Sequence, residues 1–472
     1  MALLSSSSPA DPDDVVGRFP VADPPDVDAA VTRARAAFPG WRDAGLEARA
    51  GVLRRFAELA SARVDELAAL ISREVGKVRW DARAEAGLLA PKVAVTLEDG
   101  MRYVAPIEAA PGQRASFRPR GVLAVYGPFN FPAHLPNGHI VPALATGNSV
   151  VFKPSELSPA VGAWMADRWR EAGLPEGVLE VVQGGPETGK ALAAHPDVDG
   201  ILFTGSYPTG RALRLATLDQ PWKLLALELG GSNPILVCDD ADLELAVSEA
   251  AFSIAVTTGQ RCTCAGRLFV DRRVLEPFAE KLARVLSGLR VGAPDEPGVF
   301  MGPLVSLAAH EKLMRARDSA ADAGGERIDI AAPDLPPPWT GAGLVRFARA
   351  DQTHPYQREE IFGPEAALYP VDDLEEAIAA ANDSDYGLAA AVMTRSRARY
   401  ERCVGRVRTG LLNWNKGTVG ASGRLPFGGT GKSGNDRPAG VTATLYCTVV
   451  QAHLESEAGF DPETLPPGMP KP

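Results

Sequence analysis

Ile201-Leu-Phe-Thr-Gly-Ser-Tyr-Pro-Thr-Gly-Arg211 joins a short apolar run to a Gly/Pro turn and a polar segment. The pattern predicts a strand at 201–203, a turn, and a helix beyond it. Backbone N–H groups at such a helix N-terminus can face a pyrophosphate. A plain strand-to-helix connection fits the same residues, because the Gly-x-Gly-x-x-Gly dinucleotide fingerprint is missing. The neighbours give the stretch its meaning. Gly121–Tyr126, Ser149–Phe152, Val178–Val182 and Leu224–Leu227 are further β-rich apolar runs, with helical patterns at Ala160–Ala172 and Gly189–Ala194 between them. Such alternation predicts an α/β fold with a parallel, doubly wound sheet.

Outward from this region the organisation is coarser. Residues 1–25, rich in Ser, Pro and Asp, read as an arm or loop, and 26–76 read as helical, with Val52, Leu53, Phe56, Leu59 and Ala60 at helical spacing. A second β/α series runs from about 233 to 415. Its strands are expected at 235–237, 267–270 and 389–393, and its helices near 241–257, 275–288 and 373–382. The Pro/Gly-rich stretch 324–343 reads as a surface loop. Segments 103–120 and 441–455 belong to neither series and are expected to pair as a small protruding sheet, a subunit contact.

The bulk numbers exclude some classes of function. A chain of 472 residues exceeds one ordinary core, so two or three domains are expected. A net charge of -10 argues against bulk binding to nucleic acid or an anionic membrane. No apolar run approaches the roughly 18–20 residues of a bilayer span, and the start lacks a signal-peptide pattern. Five scattered cysteines do not make a disulfide framework, so reduced thiols and a cytoplasmic location are expected.

Two stretches carry chemistry. Leu227-Glu-Leu-Gly-Gly231 sets a carboxylate beside a glycine pair, and Gly259-Gln-Arg-Cys262 offers a thiol in a polar turn. Taken singly, Cys262 reads as a small buried hydrophobe or as a nucleophile, and Glu228 as a charged strand end or as a base with a raised pKa. Taken together they suit covalent catalysis at a carbonyl followed by hydrolysis. Cys264 reads as structural. No His/Cys set supplies metal ligands, His134 and His139 included, so no metal is expected. Gly184–Ala191 has P-loop spacing but ends in Ala, and Gly431-Lys-Ser433 lacks the first glycine, so a phosphohydrolase is not supported. Lys153-Pro-Ser-Glu156 offers a cation and a carboxylate for ribose hydroxyls. A carboxylate there would repel a 2′-phosphate and favour NAD over NADP.

With these blocks in hand, the chain resembles the aldehyde dehydrogenases over nearly its whole length. The resemblance rests on Gly127–Pro132, Lys153–Glu156, Phe203–Ser206, Leu227–Gly231, Gly259–Cys262, Glu359–Pro364 and Pro426–Gly429. Within that family it is most similar to the succinylglutamate semialdehyde dehydrogenases of arginine catabolism. The cues are His134–Pro142, Gln260–Cys264 and Asn413–Lys416.

The resemblance implies Cys262 as nucleophile, Glu228 as base and Asn130 as oxyanion donor. Lys153 and Glu156 would hold the adenosine ribose, and Ser206 the pyrophosphate. Phe203, Thr204, Gly205, Gly210 and Gly230 would line the NAD site, with Glu360 and Phe362 at its nicotinamide riboside end. It further implies a Rossmann-like cofactor domain (1–102 and 121–230), an α/β catalytic domain (231–425), and an oligomerisation segment with a C-terminal tail (103–120 and 426–472). The implied assembly is a homodimer or homotetramer.

The leading expectation is NAD-dependent oxidation of N-succinylglutamate 5-semialdehyde. The alternatives are another acidic or aliphatic aldehyde, or a cysteine-dependent hydrolase or acyltransferase. Gly417 and Asp436 depart from residues common in the subfamily (Pro and His), and the N-terminal part looks shortened. Arg437, Lys416 and Arg424 are candidates for substrate carboxylate recognition.

Overall fold

The computed structural model describes residues 2–331, 334–351, 353–457 and 459–472. Two parallel sheets organise it. The first has five strands in the order Leu179–Val181, Ser149–Lys153, Val122–Tyr126, Gly200–Thr204, Leu224–Glu228, all parallel. Its three middle strands are buried along their whole length. Helices on both faces leave no side of these strands to water, so their sequences are continuously apolar rather than alternating.

The second sheet has seven strands, in the order Glu326–Arg327, Gly343–Arg346, Glu365–Val371, Ala265–Asp271, Asn233–Val237, Ala389–Met393, Leu411–Trp414. Only the short Glu326–Arg327 strand is antiparallel to its neighbour. The expected strands and helices of both series are present, within a few residues of their predicted bounds. The helix Leu307–Ser319 and the strands Gly343–Arg346, Glu365–Val371 and Leu411–Trp414 were not foreseen. Leu307–Ser319 buries only Leu313 among its own residues, which explains its faint apolar periodicity. The expected loop at 324–343 contains the Glu326–Arg327 strand, and its residues Ala332 and Pro333 lie outside the described residues.

The 26–76 region forms helices Pro24–Asp43, Leu46–Ala62 and Val64–Val75. Asp23 and Asp26 close a capping box at the first of these. Phe56 stacks flat on Trp169 at 3.7 Å between centroids, tying this layer to the first sheet's helices.

Residues 2–25 are not an arm, which corrects the sequence reading, and Met1 lies outside the described residues. Leu3–Ser8 and Asp11–Pro20 form an antiparallel hairpin. Buried Ser6 donates to Glu74 at 2.8 Å, and Arg73 pairs with Asp14 at 2.5 Å. These anchors lie more than fifty residues away along the chain, so local composition could not reveal them.

The pairing expected of 103–120 with 441–455 is present. Gln113–Pro119 lies between Ile107–Ala110 and Thr448–Leu454, antiparallel to both. No helix among the described residues is long and apolar enough to cross a membrane.

Asn148 joins several of these parts. It is fully buried; its Oδ1 accepts from the N–H groups of Arg120 and Gly121, at 2.8 and 3.0 Å. Its Nδ2 donates to Ala143 O, Thr146 Oγ1 and Cys447 O. Asn148→Leu would strand these groups in the interior, where each unsatisfied group costs about 1–3 kcal/mol. We expect a Tm loss of several degrees by differential scanning fluorimetry; an unchanged Tm would show that water or a shifted side chain takes over the bonds.

Candidate active site

Glu228 ends the edge strand of the first sheet, and its carbonyl accepts the Gly205 N–H at 3.0 Å. The chain from 426 to 440 returns alongside it. Leu229 N donates to Ser433 O, and the Asn435 side chain accepts from Leu227 N and donates to Leu225 O, each at 2.9 Å. This cover buries Glu228 to 5% exposure and leaves Oε2 without a hydrogen-bond partner. Burial pushes the carboxyl well above the usual carboxylate range, opposed only by the Ala439 N–H. A buried carboxyl with a free oxygen is suited to take a proton from water.

Cys262 arrives from the other sheet. After the helix Leu243–Ala255, Thr257, Thr258 and Gly259 all take positive φ (55°, 53° and 69°). For threonine this conformation costs on the order of 1–3 kcal/mol per residue. Side-chain bonds offset it. Thr257 Oγ1 donates to Asp81 at 2.5 Å, Thr258 Oγ1 to Gly302 O at 3.0 Å, and Arg261 Nη2 to Asp81 at 2.7 Å. Asn130 Nδ2 donates to Gln260 O at 2.8 Å, and Gln260 Oε1 accepts from Val305 N.

Asn130 is thus fastened beside the Cys262 loop, and its second amide hydrogen has no partner among the described residues. Cys262 stays partly open to solvent. Burial, then the carboxylates of Glu360 and Glu228, push its thiol pKa up, and Arg261 opposes them.

The glycine pair lets the two halves meet. A Cβ on Gly231 would stand 2.5 Å from the Cys262 carbonyl oxygen, and one on Gly230 would stand 2.0 Å from Glu360 Oε2. Gly231 N donates to Glu360 Oε1 at 2.9 Å. Half-buried Glu360 has its carboxyl pushed up to about 7 by burial, against the Gly231 N–H and Lys312. Phe362, at φ 59°, sets its ring edge-to-face on Phe129 at 5.9 Å.

At the far end of the first sheet, Lys153 is buried, with Nζ 3.2 Å from Pro154 O and 3.7 Å from exposed Glu156. Burial lowers its pKa, and Glu156 partly restores it. Ser206 caps the helix Tyr207–Ala216 and shares a 3.0 Å hydroxyl contact with Thr209, both exposed. Gly210 packs against Leu229, where a Cβ would fall 2.7 Å from Cδ2.

Phe203 and Thr204 point inward. Phe203 rests 6.2 Å from the Tyr126 ring, and Thr204 Oγ1 lies 3.1 Å from His139 Nε2. With the Gly205 N–H spent on Glu228, these three shape the turn from behind, and the exposed polar face belongs to Ser206.

Several residues that build the site had no motif to announce them. Asn233 Nδ2 donates to the carbonyls of both Cys262 (2.8 Å) and Cys264 (2.7 Å), while its Oδ1 accepts from Ala389 N. Buried Arg267 donates to Ser232 O, Ala380 O and Ala381 O. Asp81 and Asn435 complete the set. A polar residue inside an apolar run, as at Asn233 and Arg267, is the one signal that could have flagged them. Of the candidates for carboxylate recognition, Arg424 is paired with Asp99, and Arg437 and Lys416 are exposed.

The Gly259 contact yields a test. A Cβ there would sit 2.1 Å from the backbone carbon of Gly363, at a φ that disfavours L side chains. Gly259→Ala should cost about 2–4 kcal/mol of stability and displace Cys262. The expected readouts are a lower Tm and altered alkylation of Cys262 by iodoacetamide; unchanged values for both would mean that the loop relaxes freely.

Residues 3–452 match the model of the aldehyde dehydrogenase family. An N-succinylglutamate 5-semialdehyde dehydrogenase of Serratia proteamaculans is 44% identical over 455 residues, covering 95% of this chain and 92% of the relative. Among solved structures, an NAD-dependent aldehyde dehydrogenase from Sinorhizobium meliloti superposes with a TM-score of 0.91 at 29% identity, covering 97% of this chain and 93% of that one. A glyceraldehyde-3-phosphate dehydrogenase from Methanocaldococcus jannaschii, complexed with NADP, gives a TM-score of 0.89 at 26% identity, covering 95% and 98%. A buried carboxyl and a thiol brought together across a glycine pair, in a chain matched along nearly its full length, make this protein a member of the aldehyde dehydrogenase family.

Proposed function

We propose that the protein oxidises an acidic aldehyde to its carboxylic acid with NAD as acceptor, the substrate being N-succinylglutamate 5-semialdehyde. The observation that carries the reading is buried Glu228, with one oxygen unpartnered, at the end of a strand whose following Gly231 passes directly against the Cys262 carbonyl. The substrate follows from the 44% identical relative that bears this name. The cysteine hydrolase alternative would call for a histidine beside the thiol. Here His139 is committed to Tyr446 and Thr204, and His134 Nδ1 is buried without a partner, so neither ring bonds to Cys262 among the described residues.

Cys262 attacks the aldehyde carbon as thiolate, forming a thiohemiacetal whose oxyanion accepts from the free amide hydrogen of Asn130 and from the Cys262 N–H. One such donor is worth about 10²–10³ in rate. Loss of hydride from that carbon leaves a thioester on Cys262. Glu228 then takes a proton from water, which attacks the thioester and releases the acid. An acylating relative that passes its thioester to a thiol would not need this base.

The chain's surface suits a dinucleotide. Lys153 and Glu156 would hold the ribose, and Ser206 with the helix N-terminus the pyrophosphate. Phe203, Thr204, Gly205 and Gly210 shape that turn, and Gly230, Glu360 and Phe362 border the nicotinamide end. The bound dinucleotide supplies the hydride acceptor. Glu156, with 44% of its side chain exposed, faces an added 2′-phosphate with like charge and so favours NAD.

The domain reading assigns 1–102 and 121–230 to cofactor binding, 231–425 to catalysis, and 103–120 with 426–472 to assembly and tail. The three-stranded sheet, with Ile107, Val450 and Leu454 exposed, is the proposed contact of a homodimer or homotetramer. Five unpaired cysteines agree with a cytoplasmic setting.

Rapid mixing tests the two roles together. Cys262→Ala should abolish NADH formation. Glu228→Gln should keep a burst of NADH while steady-state turnover drops by about 10²–10⁴. Because burial raises the Glu228 pKa, the base form grows as pH rises, so wild-type kcat should climb through an acid limb lying above the ordinary carboxylate range. The Gln variant should lose that limb, and undiminished steady-state turnover would refute the role. For the cofactor, Glu156→Gln should narrow the NAD-over-NADP preference roughly tenfold, equivalent to about 1.4 kcal/mol; an unaltered ratio would move the discrimination elsewhere.

A further inference from the structure

A group of charges beside the nucleophile has no part in the chemistry just described. Arg261 precedes Cys262, and its guanidinium lies 4.8 Å from the centre of the Phe131 ring. Nε donates to Thr257 Oγ1 and Nη2 to Asp81 Oδ1, both at 2.7 Å. Nη1 has no partner among the described residues, and 15% of the side chain is exposed. Lys77 Nζ lies 3.7 Å from the centre of the same ring and pairs with Glu85 at 2.5 Å. The other oxygen of Glu85 accepts from the N–H groups of Ala133 and His134, which fixes the loop carrying Phe131.

His134 completes the group, 6.2 Å from Phe131 between centroids, its Nδ1 buried without a hydrogen-bond partner. Burial first, then Lys92, Lys77 and Arg261, lower its pKa to about 4, so it stands neutral. Arg261 thus meets Asp81 with one edge and keeps Nη1 unpartnered among the described residues, beside Phe131 and next in sequence to Cys262. A fixed guanidinium with a free donor attracts an anion.

We propose that Arg261, held rigid by Asp81 and Thr257, binds a carboxylate of the substrate through its free Nη1, beside Phe131. Asp81 is a positioning residue: it presents the guanidinium with one edge already occupied. This rests on the acidic-aldehyde reading above, and it replaces Arg424, Arg437 and Lys416 as the source of acid recognition. The recognising cation then sits next in sequence to the nucleophile. A carboxylate a few bonds from the aldehyde would reach it while the carbonyl carbon lies against Cys262.

The test compares N-succinylglutamate 5-semialdehyde with uncharged butanal, on wild type and Arg261→Gln. Wild type should prefer the acidic aldehyde in kcat/KM. The variant should lose about 10- to 100-fold of that preference, as for a lost hydrogen bond to a charged group, chiefly through KM for the acidic substrate. Because Gln leaves Asp81 buried without its cation, D81N/R261Q, which removes both charges, should show the same selective loss if the single variant is unstable. Equal losses for both aldehydes, or none, overturn the Arg261 assignment and leave the dehydrogenase intact. A wild type with no preference for the acidic aldehyde instead overturns the substrate reading and, with it, this assignment.

Discussion

The close approach of Gly231 to the Cys262 carbonyl is the constraint on which the site depends. The first sheet ends at Glu228 and the second begins at Asn233, so only four residues lie between the buried carboxyl and the start of the next core. Within that span the backbone passes close under the cysteine loop, and Asn233 holds it there through the carbonyls of Cys262 and Cys264. A side chain at Gly231 would force the halves apart, and one at Gly230 would displace Glu360. Hydrogen bonds to main-chain groups, more than apolar packing, set where the sulfur stands relative to the carboxyl.

Around that contact the protein spends stability on reactivity. Thr257 and Thr258 sit at positive φ, Glu228 is buried with an oxygen unmatched, and burial resists ionisation of the Cys262 thiol. Each feature is unfavourable by itself, and each lies within the same small region. The compensating bonds come from distant segments: Asp81 from an N-terminal helix, Asn130 from the loop after the central strand, and Ser433 and Asn435 from the returning chain. Bonds from these three segments hold the Cys262 loop and the end of the Glu228 strand in place.

The difference between a motif and a functional placement shows at the phosphate-type turn. Its strand, turn and helix lie where the residues predicted them. The individual roles divide less evenly. Thr204 turns inward to His139, and the Gly205 N–H goes to the Glu228 carbonyl, so the exposed polar groups of the turn are the hydroxyls of Ser206 and Thr209 at the helix end. Spacing marks a turn as suited to a dinucleotide, but which of its groups remain free is decided by what packs behind it.

By itself the sequence determined the α/β alternation and the small sheet from 103–120 and 441–455, and it singled out Glu228 and Cys262 as candidates, because strand periodicity, glycine pairs and reactive residue types are local properties. It misread 1–25, whose hairpin is anchored by Glu74 and Arg73, and it passed over the 307–319 helix, which has almost no buried stripe. Only the tertiary structure decided that Glu228 is buried with a free oxygen, that Asn233 and Asp81 hold the Cys262 loop, and that Arg261 lies against the Phe131 ring while Arg424 pairs with Asp99. Burial and hydrogen-bond partnership are set by segments that can be hundreds of residues apart, and no local pattern encodes them.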